Sequence, residues 1–172
     1  MCDVGTMQRV QDGAWFGILV RGLQQHGLTV EAPANPWHGK PWHGSKSRCV
    51  RCTPLSGEGQ FWFDPQELAG AFNERTRAIL VNTPHNPTGK VFTRDELQLI
   101  AELCMKHDVI AITDEVYEHL TYGDARHVHL ATIPGMEERT LTLSSLGKTF
   151  SLTGWKVGWA IGSAELSAAV RD

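Results

Sequence analysis

"AILVNTPHNPTGKVFTRDELQLIAELCMKHDVIAITDE", residues 78–115, is the stretch whose reading decides the fold. It opens on a short β-rich run, Ala78 to Asn82, and passes at once into turn chemistry with Pro84, Pro87 and Gly89. Thr93-Arg94-Asp95-Glu96 then has the form of a capping box, in which a hydroxyl and a carboxylate each accept a backbone N–H from the other residue. Leu97, Ile100, Ala101 and Cys104 come next at helical spacing, so a helix is expected to stop near His107. Residues 109–113 form an unbroken apolar strand that ends in Asp114-Glu115. Strand, helix and strand in succession argue for a parallel sheet with helices packed on its faces.

Working outward, Asp64-Pro65-Gln66-Glu67 offers an N-cap, a proline at the first helical position and an acidic third residue, with Leu68, Ala71 and Phe72 on one face of the helix beyond. On the other side, residues 140–144 alternate as a strand does, and residues 155–162 are apolar enough to read as a buried strand. Between them lies "SSLGKTFSLTGWKVGW", residues 144–159, with Lys148 after a serine pair and Lys156 further on. A lysine held between two buried strands, close to Trp and Phe, loses hydration and has its pKa lowered, which makes it a nucleophile toward carbonyls. The competing reading is a lysine in a solvated turn.

Open α/β sheets bind ligands beyond the carboxyl ends of their strands. Collecting those ends gives residues 82–89, 114–117 and 144–148. The set holds an acid, a phenol, an amide, hydroxyls and a lysine, which is what a phosphorylated heteroaromatic aldehyde needs. Singly, Asp114 reads equally as a helix cap, Tyr117 as core and Asn86 as a turn residue before proline. His119, His127 and His129 fall in a loop with Gly and Asp and are read as loop residues, not as metal ligands.

The composition is that of an ordinary soluble protein: 172 residues, net charge -3, 41% hydrophobic and 20% charged. Nothing in it points to a polyanion partner. The start lacks a basic segment leading into a long apolar one, and residues 15–20 are too short to span a bilayer, so a cytoplasmic location is expected. Four cysteines are too few for a disulfide scaffold and read as reduced thiols. Residues 1–49 show no clear period, and residues 34–48 carry Pro-Trp-His-Gly twice, so this part reads as an anomalous N-terminal region. Within it a second reading opens: Cys49 and Cys52, preceded by His38 and His43, have the form of a small zinc module.

Three motifs, "NTPHNPTGKVF", "ITDEVYEHL" and "SSLGKTFSLTGWKVGW", in this order, resemble the large domain of fold-type I pyridoxal-phosphate aminotransferases. Within that superfamily they are most similar to the branch of kynurenine aminotransferase (glutamine transaminase K) and N-succinyldiaminopimelate aminotransferase. The resemblance covers about residues 50–172 and implies an α/β fold, a mostly parallel sheet with flanking helices, in a partial large domain. It implies pyridoxal 5'-phosphate as cofactor, transamination between an amino acid and a 2-oxo acid, and a homodimer in full-length relatives. It assigns the Schiff-base lysine and proton carrier to Lys148, the partner of the pyridine nitrogen to Asp114, contacts with the ring oxygen to Asn86 and Tyr117, and the phosphate to Ser145 and Lys156. Many relatives carry arginine where Lys156 stands, so the charge is kept and the fork geometry is not. The family's upstream phosphate loop and stacking aromatic find no match in residues 1–49. Its small C-terminal domain, with the arginine for the substrate carboxylate, has no counterpart before Asp172, so a partial version without efficient transamination is expected, and Arg126 and Arg139 are the first to test for that task should the chain turn over. A non-catalytic remnant that keeps the site is a further reading.

Overall fold

The computed structural model describes residues 63–86 and 88–171. The boundary near residue 50, the repeat in residues 34–48 and the Cys49/Cys52 pair lie outside the described residues. Helix α1, Pro65–Ala71, starts as its sequence requires: the Asp64 carboxylate accepts the backbone N–H groups of Gln66 at 2.7 Å and Glu67 at 2.9 Å. Helix α2, Arg94–His107, has the expected capping box, with Glu96 N–H donating to the Thr93 hydroxyl at 3.2 Å and Thr93 N–H to the Glu96 carboxylate at 2.7 Å. The other Glu96 oxygen takes the Lys90 ammonium at 2.7 Å, which ties the preceding turn to the helix start. The helix ends at Asp108, whose φ of 53° is left-handed, and Val109 N–H then reaches the Cys104 carbonyl at 2.9 Å.

Strands β1 (Ala78–Asn82), β2 (Ile110–Asp114), β3 (Thr140–Ser145) and β4 (Gly158–Ile161) lie in that order in one sheet. The first three run parallel, and β4 pairs antiparallel with β3. Alternation along the strands divides their side chains between two layers. Ile79, Val81 and Ala111 face α1 and α2, in a core with Leu68, Phe72, Leu97, Ile100, Ala101 and Cys104. Leu80, Ile112, Leu141 and Leu143 face the other way and meet Leu166 and Ala169 of helix α4, Ala164–Arg171. Helices on both faces explain why β2 reads as continuously apolar.

Cys104 sits in the first layer with no exposed surface, and burial pushes its thiol up to about 12, against a smaller opposing effect of Arg139. At pH 8 that leaves about one thiol in ten thousand ionised. Cys104 is therefore expected to stay unalkylated by iodoacetamide in the folded protein and to react fully in denaturant, as read by mass spectrometry of its peptide. Rapid native labelling would mean that the α2 layer opens.

The strand expected over residues 155–162 is shorter, and it is not buried. Gly158 and Ile161 are exposed, with Ile161 at 62%, because β4 pairs with β3 alone among the described residues and α4 shields only part of it. An apolar run reports what a strand can bury, not what covers it. One point of β4's exit is tightly fitted: a Cβ on Gly162 would come within 3.1 Å of both a Leu141 methyl and the Thr140 carbonyl oxygen. Among the described residues no helix is long and apolar enough to cross a membrane.

Candidate active site

The parallel strands β1, β2 and β3 point their carboxyl ends the same way, and antiparallel β4 begins where β3 ends, with Ser145 opposite Gly158. Every predicted site residue lies on or just beyond that edge. Asn82 pairs in register with Asp114, and Asp114 with Leu143. The Asn82 amide bridges two connections: it donates to the Asp114 carbonyl at 3.1 Å and accepts the Asn86 backbone N–H at 2.8 Å. Asn86 itself is exposed, in a turn closed by His85 N–H on the Lys90 carbonyl at 2.7 Å and Gly89 N–H on the His85 carbonyl at 2.8 Å. Gly89 stands at φ 73°, a conformation that favours glycine. Asn82 was no sequence candidate; its signal was its place as the last residue of a strand.

Asp114 is the final residue of β2, one step inside where the sequence places it. Its carboxylate accepts the Val116 N–H at 3.3 Å and has no cationic partner among the described residues. Burial pushes this carboxyl above the ordinary aspartate range, opposed by the Val116 bond and reinforced by the neighbouring Glu115. Glu115 turns to the opposite side and is fully buried, with His127 donating to its Oε2 at 2.7 Å and His129 Nδ1 on the same oxygen. Burial would raise the Glu115 carboxyl, but the bonds from His127 and Thr113 and the charge of the two imidazoles outweigh it and hold it below the ordinary range.

Lys148 lies on a single helical turn, α3 (Leu146–Thr149), for which Ser145 is the N-cap. It is exposed, not held between buried strands as the sequence reading expected, because the turn projects beyond the sheet edge. Its ammonium stands 5.6 Å from the centre of the Tyr117 ring, within the range of a cation–π contact. The Ser145 hydroxyl makes no capping bond. Lys156 precedes β4 instead of lying within it, comes directly after the 3-10 turn Thr153–Trp155, and is exposed at φ 54°. The excursion from Ser145 to Lys156 returns on itself, since Leu146 N–H bonds the Val157 carbonyl at 3.0 Å.

The two candidate arginines do not face this edge. Arg139, just before β3, bonds Asp108, just before β2, at 3.1 Å, so it stands at the amino end of the sheet. Arg126 folds back on its own loop, onto the carbonyls of Ala125 at 3.0 Å and Gly123 at 3.4 Å.

The sequence profile of the family described as aminotransferase class I and II matches residues 27–172. The chain belongs to the class I and II aminotransferases. Kynurenine–oxoglutarate transaminase 3 of Mus musculus is 62% identical to this aminotransferase chain over 121 residues, covering 68% of it and 27% of the mouse protein. Human kynurenine–oxoglutarate transaminase 1 is 53% identical over 117 residues, again 68% of the chain and 28% of the relative. Among solved structures, N-succinyldiaminopimelate aminotransferase from Mycobacterium tuberculosis superposes with a TM-score of 0.75 at 38% identity, over 90% of this chain and 41% of that one. The chain thus spans well under half the length of these relatives.

Class I and II aminotransferases use pyridoxal 5'-phosphate. The donor set on this sheet edge fits it: a half-buried carboxylate without a cationic partner among the described residues, a lysine beside a phenol, and a serine hydroxyl free of capping duty.

Proposed function

We propose that this chain carries the cofactor-holding part of a transaminase site, acting between an amino acid and a 2-oxo acid, with residues 50–172 as the cofactor-binding unit and a cytoplasmic location. The observation that carries the reading is the half-buried Asp114 carboxylate, without a cationic partner among the described residues, on the same sheet edge as Lys148. Bound pyridoxal phosphate supplies an electron sink for charge developing at the substrate's Cα. Asp114 would hold a proton on the ring nitrogen by Coulomb attraction at low effective dielectric. Lys148 would supply the amine that anchors the cofactor and the base that carries the Cα proton. Asn86 and Tyr117 would donate to the ring oxygen, while Ser145 and Lys156 would hold the phosphate, one as a neutral donor and one as a point charge.

Asp114→Asn removes the negative partner and keeps the shape. Cofactor affinity, titrated by absorbance, is expected to fall about tenfold or more, the equivalent of one lost charge-assisted bond. Unchanged affinity would remove Asp114 from the site and with it the main support of this reading.

A further inference from the structure

On the other side of the β2 end from Asp114, three side chains converge that the transaminase reading leaves unused. Glu115 is fully buried, and its Oε2 meets both His127 Nε2 at 2.7 Å and His129 Nδ1. The potential ligand atoms of the three residues all lie within 4.8 Å of one another. His127 and His129 are two apart, so an extended backbone turns both rings the same way, while Val128 between them packs against the main core. The rings stand edge to face at 4.8 Å between centres, so that both nitrogens reach the carboxylate without stacking. Among the described residues, His127 Nδ1 is buried without a hydrogen-bond partner, and Glu115 Oε1 has none of good geometry, with the Thr113 side chain nearby. A buried carboxylate with one oxygen crowded by two imidazoles is a costly arrangement for hydrogen bonding by itself.

We propose that Glu115, His127 and His129 bind a divalent first-row transition ion of the zinc class. Two imidazoles and a carboxylate suit zinc and its neighbours, whereas magnesium and calcium favour oxygen alone. Ligand atoms about 2.0–2.2 Å from such an ion stand roughly 3–3.5 Å apart, so binding opens the present contacts by about 1 Å or less. Entry is from the His129 side, since that side chain is 46% exposed while His127 is 6% exposed. An outer partner is in place as well: Glu118 Oε2 lies 3.7 Å from His129 Nε2, and Glu118 Oε1 takes the Ser144 hydroxyl at 3.1 Å. At 3.7 Å this is not yet a hydrogen bond, but with a small rotation that carboxylate would accept a proton from Nε2 and leave Nδ1 free to ligate. The ion clips the 127–129 segment onto β2 and, through Glu118, onto β3. The proposal is independent of Lys148 and of the cofactor.

The test uses the full chain, stripped of metal and free of pyridoxal phosphate, titrated with Co²⁺ and then with Zn²⁺ against a chromophoric chelator. One Co²⁺ per chain is expected, with visible ligand-field bands displaced by Zn²⁺. His129→Ala, at a half-exposed position, is expected to keep its circular dichroism and weaken Zn²⁺ at least about tenfold, with Glu118→Gln showing a smaller loss. His129→Cys, which can ligate but cannot reproduce the imidazole hydrogen bond, is expected to restore binding. The double variant Cys49→Ala/Cys52→Ala should bind as the parent does. Absence of stoichiometric cobalt bands, undiminished affinity in His129→Ala, failure of His129→Cys to rescue, or loss only in the cysteine variant would each overturn the site; should His129→Ala misfold, the cysteine rescue and Glu118→Gln still decide.

Discussion

Borohydride reduction of the protein after incubation with pyridoxal phosphate is expected to leave the label on Lys148, and Lys148→Ala to lose it. The competing lysines differ in their surroundings. Lys90 is held by Glu96 at 2.7 Å, so its amine must break an ion pair before it reacts. Lys106 lies in the last turn of α2, which leads into the amino end of β2, away from the site edge. Lys156 shares the edge, but by our reading it faces the phosphate and not the aldehyde. Among the described lysines, Lys148 alone stands beside a phenol ring, one helical turn from a serine hydroxyl. Peptide mapping should find at least about tenfold more label on Lys148 than on any other lysine, a preference of roughly 1.4 kcal/mol. Any conversion of the cofactor by an added amino acid should fall about a hundredfold or more in Lys148→Ala, the usual cost of losing a positioned proton carrier. Label spread evenly over surface lysines would end the assignment.

Leu141→Ala is expected to cost about 2–5 kcal/mol of folding stability, by lost transfer energy and by the cavity left behind. Leu141 is fully buried in β3, among Ile112, Leu143, Leu166 and Ala169. Only one short helix among the described residues covers that face, so few neighbours can collapse into the gap. Against a typical total of about 5–15 kcal/mol, the variant should unfold at a much lower denaturant concentration with an unchanged slope. A shift worth less than about 1 kcal/mol would mean that the α4 layer contributes little.

The legible part of the fold was local. The capping box at Thr93 and Glu96 and the apolar spacing of α2 stand in the structure where the sequence puts them, because both depend on residues three or four apart. Asp114 closes β2 by register with Asn82 and Leu143, and partners so far along the chain cannot be read from one strand. The exposure of β4 and of Lys148 was hidden for the same reason, since apolar content does not reveal which layers exist to cover it. The six candidate residues each stand at or near the end of a strand, a place that the strand's own residues mark. The contacts of Asn82, of Glu118 and of the group of Glu115, His127 and His129 were not legible, because they span between twelve and thirty-two residues. His127 and His129 looked like loop residues, and the loop does carry them, but toward a buried carboxylate.

Gly162 governs more than its own close fit. Side chains on a strand alternate, so a slip of β4 by one residue along β3 would turn each of its side chains to the opposite face and bring a β-carbon into the space that Gly162 leaves open. There it would meet the Leu141 methyl and the Thr140 carbonyl oxygen, both within 3.1 Å. The glycine thus acts as a ratchet tooth that sets the slipped alignment at a disadvantage. Lys156 rides at the head of that strand, so the spacing between its ammonium and the Ser145 hydroxyl is indexed from a position six residues further on, in steps of about 3.4 Å.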